Sequence, residues 1–147
     1  MRAAKVILLV EDSESDLMLM RFAFERAKVK RPVQVAHDGQ EAIDYLSGIG
    51  IYEDREKYPE VCVLITDVKM PRMDGFELLA WLNERPEYTR LPRIVLSASG
   101  LEEDRRRAAE LGCCAYFVKP SELNELIEVV AQMDEKWISE HCPMAKG

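Results

Sequence analysis

Several signatures of membrane, secreted and zinc-binding proteins are missing from this 147-residue chain. The first apolar run, residues 6–10, is followed at once by Glu11 and Asp12, so it is too short for a secretory signal or a membrane span. Two histidines and four cysteines without CxxC spacing do not predict a structural zinc site. The adjacent Cys113 and Cys114 are interpreted as buried small residues in a reducing cytosol, and the protein is expected to be cytoplasmic.

An excess of basic charge is missing as well. The chain carries 20 Lys and Arg against 27 Asp and Glu, a formal net charge of −7. Nonspecific nucleic-acid binding relies on a basic face, so nucleic acid is not an expected partner, and the short apolar runs argue against a membrane. Hydrophobic residues make up 48% of the chain, enough for the core of one domain. We assign that domain to residues 5–141, with an extension at 1–4 and a tail at 142–147.

Short apolar segments alternate with longer amphipathic ones along the chain. The apolar segments predict five strands, at residues 5–10, 33–36, 61–66, 93–96 and 115–118. Each strand is followed by apolar residues at helical spacing. Ser13 is a candidate N-cap of the first helix, with Asp16 completing a capping box, and Ser121 is a candidate N-cap of the last helix. Five strand–helix repeats predict an α/β fold with a five-stranded parallel sheet in the order 2-1-3-4-5 and helices on both faces, the flavodoxin-like arrangement.

Polar side chains stand at the carboxyl ends of four predicted strands. They are Glu11 and Asp12, then Asp67, Ser97 and Lys119. Ligands of open parallel sheets bind beyond this edge, where the strand order reverses. In the order 2-1-3-4-5 that point lies between strands one and three, where the three carboxylates are expected to converge. Each residue alone has an ordinary reading as a helix cap or solvated loop residue, and only their joint placement predicts a site.

The chemistry of this set favours phosphoryl transfer. Three neighbouring carboxylates repel one another, and a hard divalent cation such as Mg²⁺ resolves that conflict. The cation can also hold a phosphoryl group, which the carboxylate of Asp67 could accept. Lys119 would supply a positive charge to the phosphoryl oxygens and Ser97 a hydrogen bond.

The stretches that carry these residues resemble the signatures of response-regulator receiver domains of two-component signalling. They are LLVED at 8–12, TDVKMPRMDG at 66–75, LSAS at 96–99 and YFVKP at 116–120. The resemblance runs from about residue 5 to the last predicted helix. It implies a response regulator that accepts a phosphoryl group from a sensor histidine kinase, and a signalling switch rather than an enzyme with a separate substrate.

The resemblance also implies a metal site. Asp67 is the implied phosphoacceptor and one of the metal ligands. Asp12 is a direct ligand, Glu11 acts mostly through water, and the backbone carbonyl of Lys69 completes the protein ligands. Mg²⁺ is the expected cofactor, and Mn²⁺ is expected to replace it. Lys69 stands where the family often has a neutral polar side chain, so its ammonium is expected to affect the lifetime of the phosphoryl group.

A switch is implied by the same resemblance. Ser97, which replaces the commoner threonine, is the hydroxyl that follows the phosphoryl group, and Tyr116 is the aromatic partner that turns inward with it. Lys119 pairs with the phosphoryl group. The peptide bond between Lys119 and Pro120 is expected to be cis.

A narrower likeness concerns the loops and the last helix. The long connection at 48–59, the segment at 86–92 and Trp137 resemble stand-alone receivers that partner bacterial phytochrome kinases. Because only a few residues follow the last predicted helix, output is expected to pass through protein contacts, to a second copy of the chain or to a downstream target. The face made by helix four, strand five and helix five is expected to contact a second copy of the chain or the kinase, and phosphorylation is expected to strengthen that contact.

Three other classes fit part of the pattern. A phosphotransferase of the haloacid dehalogenase type also uses an Asp after a strand, but it normally needs an acidic residue two positions later, where this chain has Lys69. A nucleotide- or flavin-binding module normally has a glycine-rich loop after strand one, where Glu11 and Asp12 would repel phosphate. A degenerate receiver that only docks to partners would not need the intact acidic set.

Overall fold

The computed structural model describes residues 5–142 and contains one five-stranded parallel sheet. The strands are β1 (Val6–Val10), β2 (Val33–Ala36), β3 (Val61–Thr66), β4 (Arg93–Ser97) and β5 (Ala115–Val118). They lie in the order β2-β1-β3-β4-β5, which confirms the predicted order. The strand order therefore reverses between β1 and β3, the position at which the carboxylates are expected to meet.

The helices that follow the strands cover both faces of the sheet. They are α1 (Glu14–Arg26), α2 (Gly39–Ser47), α3 (Gly75–Asn83), α4 (Glu102–Glu110) and α5 (Leu123–Met133). After α5 the helix continues through a π-helical turn (Asp134–Ile138) and a last turn (Ser139–His141). The two long connections contain short 3-10 helices, Gly50–Glu53 and Pro86–Tyr88. Among residues 5–142, no helix has the length and apolar character needed to span a bilayer.

The central strands are apolar on both faces because both faces are covered. All five residues of β1 are buried, and alternate positions contribute to opposite cores. Ile7 and Leu9 pack with α1 and α5, whereas Leu8 packs with α2 and α3. A third, smaller cluster under α3 and α4 contains Phe76 and Ala108. This two-sided core holds β1 and β3 rigidly, so the residues that follow them are fixed at one edge.

Two local predictions about helix starts and one about a peptide bond were wrong. The side chain of Ser13 does accept from the backbone N–H of Asp16, but the carboxylate of Asp16 turns to Lys119 instead of completing a capping box. The last helix begins at Leu123 with Glu122 as its N-cap and no side-chain cap, so Ser121 stands one residue too early. No cis peptide bond occurs in residues 5–142, and the bond before Pro120 has the trans geometry that most X–Pro bonds prefer.

The cysteines are arranged differently from the sequence interpretation. Cys62 and Cys142 are buried and form a disulfide across 80 residues, with their Cα atoms 5.3 Å apart. Cys113 is only half-buried and Cys114 is exposed, because they lie in the turn before β5 rather than in a core cluster. Cys142, predicted to lie in the tail, packs in the core between the sheet and helices α1 and α5, called the main core below. The rest of the predicted tail and the extension at 1–4 lie outside the described residues.

Candidate functional site

The carboxylates of Glu11, Asp12 and Asp67 meet at the carboxyl edge of the sheet. β1 and β3 pair in parallel with Val10 opposite Thr66, so the next residue of each strand emerges at the same height. One carboxylate oxygen from each of the three residues lies within 4.8 Å of the other two. Oxygen donors at this spacing suit a hard divalent cation such as Mg²⁺ or Mn²⁺. The three predicted acidic ligands are therefore brought together by the fold.

Lys119 lies at the centre of an acidic cage. It follows β5, and its ammonium donates to Glu11 Oε1 at 2.5 Å, to Asp16 Oδ2 at 2.7 Å and to Asp67 Oδ2 at 2.8 Å. Burial alone would lower the pKa of Lys119, but the bonds to Asp16, Asp67 and Glu11 outweigh it and raise that pKa above its ordinary value. The side chain is therefore a fixed cation beside the candidate phosphoacceptor.

Glu11 is the most buried member of the acidic set, with 3% of its surface exposed. Burial raises the pKa of Glu11, even though hydrogen bonds from Lys119 and from the backbone N–H of Ser13 lower it in part. A buried carboxylate in this position needs positive charge nearby. The donor set thus fits a cation that would share the carboxylates with Lys119.

The backbone around Asp67 is fixed by a network of short-range hydrogen bonds. Asp67 Oδ1 accepts from the N–H of Val68 at 2.6 Å, and the hydroxyl of Thr66 donates to the carbonyl of Asp67 at 2.7 Å. The N–H of Gly75 donates to the carbonyl of Val68 at 2.7 Å, which draws the start of α3 against the loop. This network leaves the second oxygen of Asp67 directed at Lys119.

Gly75 has no space for a side chain, which predicts a strong effect of Gly75→Ala. An added Cβ would lie 2.2 Å from the carbonyl oxygen of Asp67 and 2.9 Å from the Cα of Val68. Because backbone atoms must move, we expect the free energy of unfolding to fall by roughly 2–3 kcal/mol in urea titrations. Gly100→Ala is the matched control, since its Cβ would meet only Val118 at 3.7 Å. Equal unfolding midpoints for the two variants would show that the loop is not constrained in this way.

Ser97 and Tyr116 are connected through Ser99. Ser97 is buried at the end of β4, and its Oγ accepts from the N–H of Ser99 at 3.2 Å. The hydroxyl of Tyr116 donates to the carbonyl of Ser99 at 2.8 Å, and the guanidinium of Arg105 lies 5.0 Å from the centre of its ring. The ring is half-buried against the cluster under α3 and α4. One short loop therefore joins the two residues that were expected to act as a switch.

An open cavity lies beside Asp67 and this loop. It has a volume of about 320 Å³ and is lined by Asp67, Lys69, Ser97 and the loop from Ala98 to Leu101. Lys69 is exposed at its rim. A phosphoryl group on Asp67 would have room here, in a cavity that Ser97 also lines.

The loop after Asp67 is also tied to the start of α2. Arg72, in the left-handed backbone conformation at φ 63°, donates through Nε to Asp38 at 2.7 Å. Asp38 caps α2, and although burial opposes the shift, its bonds to Arg72 and to the N–H of Glu41 lower its pKa. The N–H of Gly39 donates to the carbonyl of Met73 at 2.9 Å. These contacts were not predicted, because nothing in local spacing pairs a cap with a loop 34 residues away.

The largest omission from the predicted site is Asp16. It lies in the first turn of α1 and contacts Lys119 directly, yet its position suggested only a helix cap. Local spacing gives no signal for this contact, because Asp16 and Lys119 are 103 residues apart in the chain. The other predicted site residues lie at the carboxyl edge of the sheet, except Tyr116, which lies within β5 and reaches Ser99 with its hydroxyl.

Comparisons with known proteins agree with this geometry. The family profile described as the response regulator receiver domain matches residues 7–131. The chain is 31% identical over 134 residues to the response regulator Rcp1 of Synechocystis sp., covering 91% of this chain and 89% of that protein.

Solved structures show the same likeness. The phosphorylated cyanobacterial phytochrome response regulator RcpA superposes with a TM-score of 0.83 at 33% identity, covering 94% of this chain and 96% of that one. The Mn²⁺-bound form of Rcp1 superposes with a TM-score of 0.80 at 30% identity, covering 97% and 99%. With the receiver fold, the acidic cluster and the lysine all in place, this chain belongs to the response regulator receiver domain family.

Proposed function

We propose that this protein is a single-domain response regulator that takes a phosphoryl group onto Asp67 from a sensor histidine kinase. The observation that supports this most directly is the contact of Lys119 with Asp67 beside three clustered carboxylate oxygens. A nucleophilic carboxylate, a fixed cation and a candidate metal site are the parts that phosphoryl transfer needs. In this proposal the protein is a phosphoacceptor switch that catalyses only its own phosphorylation and dephosphorylation.

The transfer begins with Asp67. Its Oδ2 attacks the phosphorus of a phosphohistidine, so that a P–O bond forms while the P–N bond breaks, and the histidine nitrogen keeps the electron pair and takes up a proton. Oδ1 stays bonded to the N–H of Val68, which orients the carboxylate. The ammonium of Lys119 and the hydroxyl of Ser97 bind phosphoryl oxygens as the negative charge moves onto the protein.

The metal site is assigned to Glu11, Asp12, Asp67 and the backbone carbonyl of Lys69. Bound Mg²⁺ supplies charge neutralisation for the phosphoryl oxygens. Asp12 is exposed and free to turn toward the cation, whereas Glu11 is held by Lys119 and Ser13. This difference supports direct ligation by Asp12 and ligation of Glu11 through water.

Asp12→Ala tests the metal assignment. Loss of even an outer partner of a metal typically costs 10–100-fold in affinity, so loss of a direct ligand is expected to weaken Mg²⁺ binding by at least about tenfold in calorimetric titrations. Labelling by acetyl phosphate should fall with it. Glu14→Ala removes the same charge from the first residue of α1 and should leave both Mg²⁺ affinity and labelling unchanged. Normal Mg²⁺ affinity in the Asp12 variant would show that the ligand set is wrong.

Output is proposed to run through Ser97 and Tyr116. A phosphoryl group that draws the hydroxyl of Ser97 toward Asp67 would break its bond with the N–H of Ser99. Because Tyr116 bonds to the carbonyl of the same residue, the ring and Arg105 on α4 would respond together. Such a local electrostatic change needs a movable element to be read elsewhere, and the surface of α4, β5 and α5 is the element in direct contact.

The proposed partners follow from this surface and from the relatives. RcpA is a cyanobacterial phytochrome response regulator, so a phytochrome-type histidine kinase is the proposed phosphodonor. The output partner is a second copy of the chain or a downstream protein. The proposed location is the cytoplasm, where most thiols are kept reduced, so the Cys62–Cys142 disulfide would be exposed to reduction there.

A further inference from the structure

The ammonium of Lys119 has three N–H donors, and all three are used. They go to Glu11, Asp16 and Asp67, at 2.5, 2.7 and 2.8 Å. The side chain of Lys119 is only 17% exposed, and those of Glu11 and Asp67 are 4% and 11% exposed. Asp16 differs from these two partners because it belongs to a helix and is 37% exposed.

The three carboxylates around Lys119 have different roles when a metal ion and a phosphoryl group are bound. According to the function proposed above, Glu11 shares its charge with the metal through water and Asp67 becomes an acyl phosphate. Asp16 neither binds the metal nor accepts the phosphoryl group. It is therefore the one carboxylate of the cage whose charge serves Lys119 alone throughout the reaction.

The position of Asp16 is set by the start of α1. Its backbone N–H bonds to the hydroxyl of Ser13 at 3.3 Å, and Ser13 in turn bonds through its own N–H to Glu11. The backbone of Asp16 is thus held in a fixed position relative to Glu11. Lys119 has a long, flexible side chain, so a carboxylate on a rigid helix restricts where its ammonium can lie.

We propose that Asp16 is a positioning residue for phosphoryl transfer: it holds the ammonium of Lys119 within reach of the phosphoryl oxygens while Glu11 shares its charge with the metal and Asp67 becomes an acyl phosphate. This inference rests on the proposed function. A purely structural role would give a different result. A partly exposed acidic residue at a helix start contributes little to stability through the helix dipole or one ion pair, so its removal should leave the fold intact.

The test compares Asp16→Asn with Glu14→Gln. Both remove one negative charge from the first turn of α1, but Glu14 contacts His37 and not Lys119. With Mg²⁺ held constant, we expect Asp16→Asn to weaken beryllofluoride binding and to slow labelling by acetyl phosphate, each by about tenfold, the value of one charge-assisted hydrogen bond. Mg²⁺ affinity without a phosphoryl donor should stay unchanged. Asp16→Glu, which keeps the charge on a longer side chain, should recover part of both losses.

A spectroscopic measurement separates this proposal from the function on which it rests. Nitrogen-15 NMR of lysine side chains should show a slowly exchanging ammonium signal in the wild type that disappears in Lys119→Arg. Asp16→Asn should shift or broaden it, and Glu14→Gln should not. The positioning role is overturned if Asp16→Asn behaves like Glu14→Gln in beryllofluoride binding and labelling, or if it weakens Mg²⁺ binding as strongly as beryllofluoride binding.

A wild type that binds Mg²⁺ but neither beryllofluoride nor a phosphoryl group would overturn the proposed function itself, and the positioning role with it. In that case the lysine signal would still decide whether Asp16 holds Lys119. The two failures are therefore distinguishable.

Discussion

Asp67→Asn is expected to reduce labelling by acetyl phosphate and Mg²⁺ to the background measured without protein. The amide cannot attack phosphorus as a carboxylate does, because its nitrogen lone pair is delocalised and its oxygen carries no formal charge. The wild type should gain one phosphoryl group, visible in the intact mass. The substitution keeps the shape of the side chain, so the fold should remain.

The control for this loss is Glu84→Gln. It removes one negative charge from an exposed side chain at the end of α3, far from the carboxyl edge of β3. Glu84→Gln should be labelled like the wild type. Labelling of Asp67→Asn at the wild-type level would identify another acceptor and would overturn the assignment of Asp67.

Reduction of the Cys62–Cys142 disulfide is expected to lower the free energy of unfolding by roughly 4 kcal/mol. The bond closes a loop of 80 residues, and a cross-link of that length removes about this much free energy of chain entropy from the unfolded state. Both sulfurs lie in the main core, so the folded state changes little on reduction. Urea unfolding with and without dithiothreitol measures the difference.

Alkylation of the unfolded chain checks the pairing behind this effect. Two of the four cysteines should react before reduction and all four after it. Cys142→Ser should show the lower stability under both conditions, while Cys114→Ser, at an exposed thiol, should retain the response to reduction. If the wild-type midpoint does not depend on the reductant, the two thiols are not linked in solution.

The parts of the fold that were predictable are those that depend on local sequence. Strands β2, β3 and β5 have the predicted bounds because apolar runs with turn residues on either side leave little freedom. The meeting of Glu11, Asp12 and Asp67 was predictable because parallel strands place their carboxyl ends at one edge. A local pattern combined with one topological rule was sufficient for these residues.

The parts that were missed depend on distances between segments remote in sequence. Asp16 and Lys119 are 103 residues apart, and nothing in the spacing around either one indicates their contact. The same holds for Asp38 with Arg72 and for Cys62 with Cys142. For Asp16 the capping-box rule was misleading. The carboxylate of Asp16 cannot bond both to the helix start and to Lys119, and in the structure it bonds to Lys119.

Under mechanical load, the disulfide divides the functional site into two parts. Tension applied to residues 5 and 142 of an oxidised molecule passes through the bond at Cys62, so the loop of 80 residues carries no force. An extended chain spans about 3.4 Å per residue, so roughly 270 Å of contour length is shielded until the bond is reduced. Asp67 and Lys119 lie inside the shielded loop and Glu11 lies outside it, so pulling would remove β1 and its carboxylates and leave the phosphoacceptor half within a covalent ring.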